Sequence, residues 1–351
     1  MTNELNDTPE MPQEPTEFQK YEETKARKSC FSRCGWAIFA VAAATIPISL
    51  VLGFVVGAFG LMDFYDKNLL IFNEIFIALA MLCGVAVLFS MPKSAPEQKG
   101  VSAKEFIALL CVCATISTVG STISNYFIEF WNALTGSSAS DPVTDLLMSI
   151  DPWQVLLCTG IIAPIIEEFL FRKMLIDRMR PLGVWPAIIV SAFLFALFHQ
   201  NIGQLFYTFG FGVILAYLYC RTGKFLMVTL LHMAFNCIFG VIPAVLSLKV
   251  MPFIEAIAGF ATTDELISAI PELLPQYGAP LLLFGVYLLV RGAMNIAGIV
   301  IIIVNIKKFA IPKTESVLPS KERWKAMLLN GGMIAAIVIN AALMLLSLIA
   351  S

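Results

Sequence analysis

Three observations predict an all-α fold, a polytopic transmembrane helical bundle of eight or nine spans. The 351-residue chain is 58% hydrophobic and 14% charged, against about 25% charged in an ordinary soluble domain. Its mean hydropathy is +0.83. Its apolar residues also fall into long runs, most of them near the ~20 residues that a spanning helix needs.

The runs follow in order along the chain. Residues 1–34 form a cytoplasmic tail whose acidic, proline-containing start predicts disorder. It has no apolar core of the length a cleavable signal peptide requires. Lys25, Arg27, Lys28 and Arg33 adjoin the first span, where anionic lipid would attract them. Gly35–Leu61, Leu69–Ser90 and Phe106–Trp131 are the N-terminal spans, a unit over 35–131. Trp153–Met174, Val184–His199, Leu205–Tyr219 and Phe225–Leu248 form a core unit over 150–248. Two of these, Val184–His199 and Leu205–Tyr219, are short, and merging or tilting them leaves the count at eight or nine. Residues 249–279 read as an outer loop whose apolar residues, Phe253, Ile254 and Ile257 among them, suggest an interfacial helix. Pro280–Ile306 and Met327–Ile349 complete a C-terminal unit over 280–351.

Charge orients the nine-span arrangement. With the N-terminus cytoplasmic, 20 of the 23 Lys and Arg residues fall on inside segments or at the inner end of the fourth span. Cytoplasmic flanks retain such residues. Only Lys67 and Lys249 fall outside, and Arg291 lies within a span. The outer loops are acidic, with Asp141, Asp145 and Asp151 in one of them. None of the eight cysteines sits in an outer loop, so no structural disulfide is expected. The net charge of −2 points to no particular partner. Membrane lipid is the expected surrounding, and nucleic acid is not an expected partner.

Function enters through ionisable residues within the apolar runs. The only histidines, His199 and His232, lie there, as does the pair Glu167-Glu168. Each such residue costs roughly 2.5–3.5 kcal/mol to insert, which makes an intramembrane cluster a functional-site hypothesis. Neighbouring helical side chains diverge by about 100°, so the two glutamates have different jobs. Glu168 and Arg172 are i and i+4 and suit an ion pair. Glu167 is free to face a cavity. Adjacent carboxylates in low dielectric oppose each other's ionisation, which suits one of them to proton transfer. Phe195 and His199 share one helical face, as do His232 and Asn236. At 1.5 Å per residue, Glu167 lies about 17–20 Å from the basic turn at Arg178–Arg180. His199 lies roughly 22 Å from Val184, Asn236 roughly 16 Å from Phe225, and His232 about 10 Å. Helix tilt covers the differences, so one layer holds all four. The bland alternatives are an ion pair that locks packing, a histidine bonded to a carbonyl, and an interhelical polar clamp.

A water in that layer would meet a carboxylate and two imidazoles. Glu167 with His199 would remove its proton, and His232 with Asn236 would stabilise the oxyanion formed at a carbonyl. Glu168, Arg172 and Phe195 support them. The reaction class is peptide-bond hydrolysis, on a peptide or membrane-anchored protein. A second assignment makes Glu167, His199 and His232 ligands of a divalent metal such as zinc, since two His and one Glu form a catalytic zinc set. No His-Glu-x-x-His helix is present, so zinc is permitted by the sequence and not indicated by it. Two other classes compete. One is a non-catalytic immunity or scaffold protein with the same cavity. The other is a transporter or proton relay, for which the expected repeats and broken helices are not evident.

The motifs Glu167-Glu168-x-x-x-Arg172, Phe195-x-x-x-His199 and His232-x-x-x-Asn236 resemble those of the CPBP family. This family comprises the CAAX proteases and bacteriocin-processing enzymes, also called Abi or type II CAAX prenyl endopeptidase-like. Arg221-Thr222-Gly223 resembles the turn before the third motif in bacterial members. The resemblance covers roughly residues 150–245. It implies a CAAX-protease-like core within a multi-pass protein of a bacterial cell membrane, with a conical cavity open to the cytoplasm. It also implies that the first glutamate and first histidine activate water while the second histidine and the asparagine hold the oxyanion. "Metalloprotease" is the family's usual label. CAAX-type processing, bacteriocin processing and self-immunity are the functions it brings.

Overall fold

The structure is a computed structural model and describes residues 14–140, 150–305 and 316–350. Among these residues there are helices and no strands. Residues 1–13, Asp141, Asp145, Ile306 and the basic residues Lys307, Lys308 and Lys313 lie outside the described residues.

The helices are α1 (Glu17–Ala58), α2 (Met62–Lys67), α3 (Leu69–Phe89), α4 (Ala103–Thr135), α5 (Pro152–Leu182) and α6 (Val184–Phe198). They continue with α7 (Ile202–Thr222), α8 (Phe225–Ala258), α9 (Thr263–Asn305), α10 (Ser320–Leu328) and α11 (Gly331–Ala350). Eight of the described helices are long and apolar enough to cross a membrane. The chain is an integral multi-pass membrane protein. The expected short sixth segment is a full helix of 21 residues, whereas α6 has 15, or ~22 Å.

Two readings need correction. Disorder over 1–34 gives way to helix from Glu17 onward. Thr16 and Gln19 form a reciprocal capping box. Arg27 is 2% exposed and bonds Glu23 at 2.5 Å. Glu23 in turn accepts from Ser316 at 2.5 Å and from the Val317 amide at 2.8 Å. The start of α1 is therefore held by contacts some 290 residues away in sequence, which composition cannot report. The second correction concerns residues 249–279. They form no separate interfacial helix but extend α8 and α9, joined by a turn at 259–262. The Phe253 and Tyr277 rings meet at a tilt across the two extensions, with centroids 5.7 Å apart. The apolar period simply continues through Pro252, Pro271 and Pro275.

α1 packs on α3 and α11, α4 on α7 and α9, and α6 on α7. Glycine lets α1 and α11 close. A Cβ on Gly332 would fall 1.8 Å from the Ser32 carbonyl oxygen, so only a small residue permits this approach. Segments far apart in sequence meet at one end. Ser94 N donates to Asp177 O at 2.7 Å, Lys99 N to Thr222 O at 2.8 Å, and Arg221 pairs with Glu105. Gly223 ends α7 at φ +61, where it faces the Pro96 carbonyl at a distance no side chain fits. This basic end fixes how deep α5, α6, α7 and α8 carry their polar residues.

Candidate active site

Three helices bring the polar residues together. α5 supplies Glu167, Glu168 and Arg172, α6 supplies Ser191 and Phe195 with His199 as its C-cap, and α8 supplies His232 and Asn236. The winding of α5 is not uniform. Leu156–Ile162 and Phe169–Ile176 take wide i→i+5 turns on either side of Ala163–Glu168. Such turns recur at functional sites.

Glu168 and Arg172 are both 0% exposed, with Arg172 Nε 2.8 Å from Glu168 Oε2. A second nitrogen, Nη2, donates to Oε1 at 3.3 Å. Arg172 Nη1 donates to Ser191 Oγ at 3.0 Å, and that hydroxyl donates to Phe171 O at 3.0 Å. The guanidinium also lies 5.1 Å from the Phe195 ring centroid. Arg172 Nε and Glu168 Oε2 meet as an ion pair without hydrogen-bond geometry, so the two η nitrogens carry the hydrogen bonds that a low-dielectric ion pair requires.

Glu168 extends this network to α8. His232 Nδ1 shares a hydrogen bond with Glu168 Oε1 at 3.0 Å. The imidazole stands edge-on between Phe195 at 5.9 Å and Phe211 at 5.0 Å. Its Nε2 then lies 3.7 Å from Glu167 Oε2. That is too long for a direct hydrogen bond. Glu167 is 12% exposed, so it is the member of the pair with access.

His199 Nδ1 donates to the Phe195 carbonyl at 2.8 Å, and its ring packs on Phe195 at 4.7 Å. One Phe195 ring thus touches both imidazoles. With Nδ1 committed, the Nε2 of each histidine is the nitrogen left for chemistry. No ion pair or hydrogen bond joins His199 to Glu167 among the described residues. The sequence reading that pairs them therefore rests on access to a shared layer, not on contact.

Asn236 does not bond His232. Its Nδ2 donates to Thr159 O at 2.8 Å. The cause lies in α5, where Ala163 N–H bonds Cys158 O. The next donor in that series would be Pro164, which has no N–H. Thr159 O lacks its helical donor, and Asn236 replaces it. One amide N–H is therefore structural, and the second is free.

Among the described residues, no group of three or more His, Cys, Asp or Glu side chains is arranged to hold a metal ion.

Residues 149–238 match the family model Type II CAAX prenyl endopeptidase Rce1-like. This match makes the segment similar to the CAAX proteases. The CAAX-protease segment begins just before α5 and ends two residues after Asn236, so it contains all of the residues above. The family-level reading is an intramembrane CAAX-type protease. No curated protein and no solved structure matches the chain significantly.

Two features escaped the sequence reading. Ser191 is fully buried and meets Arg172, but nothing in its local pattern signals a partner 19 residues away. Glu74 on α3 is 8% exposed, and its Oε2 has no hydrogen-bond partner among the described residues. Leu70, one turn earlier, packs against Val155 and Cys158 of α5. A signal existed, since Glu74 is the only carboxylate in Leu69–Phe89.

Proposed function

We propose that the protein is an intramembrane endopeptidase that hydrolyses a peptide bond in a membrane-associated peptide or protein. The observation that carries the proposal is the 3.7 Å gap between Glu167 Oε2 and His232 Nε2, at the end of a fully buried Glu168–Arg172–Ser191 support. A water bonded to both groups is aligned for attack. Glu167 takes its proton as the new carbon–oxygen bond forms, with His199 Nε2 as a second acceptor in the layer. His232, held at Nδ1 by Glu168, presents its Nε2 edge to the developing oxyanion. The second amide N–H of Asn236 joins it. The carbon–nitrogen bond then breaks, and Glu167 returns the proton to the leaving amine. Phe195 and Phe211 hold the His232 ring, and apolar walls limit bulk water.

The test compares membrane-peptide termini in cells carrying the wild type and His199→Ala. New termini present only with the wild type are expected. Identical terminus sets would sink the proposal.

Asn236 allows its two roles to be separated. Asn236→Ala is expected to cost about 1–3 kcal/mol by stranding the Thr159 carbonyl. Adding Pro164→Ala supplies a helical N–H and should recover part of that stability in thermal unfolding. Cleavage should stay low in the double variant. If cleavage returns along with stability, Asn236 has only a structural role.

A further inference from the structure

We infer that a second site, at the basic end of the bundle, binds a phosphate-bearing anion. A cavity of about 380 Å³ opens between α1, the segment after α3 and the end of α5. Arg33, Lys93 and Arg178 line it with the hydroxyls of Ser29 and Ser94, and no carboxylate does.

Arg178 carries the argument. It is 5% exposed. Its Nε donates to Leu88 O at 2.8 Å and its Nη1 to Met174 O at 2.8 Å. Nη2 makes no hydrogen bond among the described residues, and Arg178, Arg33 and Lys93 have no ion pair there. The neighbouring Asp177 is already engaged, by Lys173 at 3.4 Å and by the Tyr219 hydroxyl at 2.8 Å. A buried guanidinium without an ion-pair partner is under-compensated, and Arg178 lines a cavity with two further cations. The guanidinium fork matches phosphate oxygens.

The walls are fixed in advance. Ser94 N bonds Asp177 O at 2.7 Å, Arg180 Nη2 bonds Ala95 O at 3.0 Å, and Cys30 Sγ bonds Arg178 O at 3.4 Å. The site is distinct from the catalytic layer, since Arg178 lies ten residues beyond Glu168, ~15 Å along α5. Its place at the ends of the apolar runs is headgroup depth. The phosphate can belong to an anionic phospholipid or to a soluble ion.

Full-length protein in nanodiscs of phosphatidylglycerol or phosphatidylcholine, analysed by native mass spectrometry for retained lipid, provides one arm. Titration of inorganic phosphate in neutral detergent, followed by thermal shift, provides the other. Preferential retention of phosphatidylglycerol is expected. Arg33→Gln with Lys93→Gln, both exposed positions, should weaken it about 30-fold, at about fivefold per cation. Arg178→Gln should weaken it further where that variant folds. A phosphate-dependent shift that the double variant loses, without lipid preference, assigns the site to soluble phosphate. Equal retention of both lipids with no phosphate shift, or unchanged affinity in the double variant, overturns the inference.

Discussion

Glu167→Gln is expected to lower cleavage about 10²–10⁴-fold, the range a positioned general base contributes, while the protein stays folded. The reason is local. Glu167 makes no hydrogen bond among the described residues, and its Oε2 lies 3.7 Å from His232 Nε2. An amide of the same shape removes the proton acceptor and breaks no support. The loss should fall on kcat with KM little changed, because the substrate's remote contacts are untouched. Initial rates on a peptide spanning a cleavage site found by terminus mapping, with thermal unfolding of the same preparation, check both halves. A variant that retains cleavage would remove Glu167 from the chemistry. A variant that loses cleavage and stability together would make it a structural residue.

The parts of this site that could be read from the sequence are those set by helical periodicity. Glu168 and Arg172 sit one turn apart, so their pairing needs only the rule that i and i+4 share a face. The four polar residues fall at similar depth because each apolar run starts from a basic end. What could not be read depends on tertiary contact or on backbone irregularity. Ser191 meets Arg172 only because α6 lies on α5. The bond from Asn236 to Thr159 exists because wide turns put Pro164 where a donor is missing, and periodicity arguments assume a regular helix. His232 and Asn236 do share a face, yet they serve different neighbours. Composition misread the start of α1 for a related reason. Its charged residues look solvated, and their partners Ser316 and Val317 lie near the other end of the chain. Glu74 was legible, as an isolated carboxylate in an apolar run, but its facing helix was not.

The largest stability effect is expected at the buried pair. Arg172→Met leaves Glu168 in the core with His232 Nδ1 as its one remaining partner, and breaking a buried pair from one side costs about 3–5 kcal/mol. That is a large share of the roughly 5–15 kcal/mol that holds a typical domain. Glu168→Gln acts from the other side, since it keeps the shape but leaves the guanidinium without its counter-charge. Both variants should lose cleavage as well, because His232 loses the group that fixes its Nδ1. The double variant discriminates between charge and packing. If uncompensated charge is the cause, Arg172→Met with Glu168→Gln should be less destabilised than the two single losses added together, and closer to wild type than Arg172→Met alone. Its cleavage should stay low, because an amide at Glu168 no longer holds His232 Nδ1 as the carboxylate does. Arg172→Lys offers a finer probe. It keeps the charge but loses the fork that reaches Glu168 through two nitrogens and Ser191 through the third. Intermediate stability with weakened cleavage is therefore expected. Chemical unfolding in mixed micelles, run beside the cleavage assay, orders the four proteins. Simple additivity in the double variant would mean that the two side chains act independently, and His232 would then need another source of orientation.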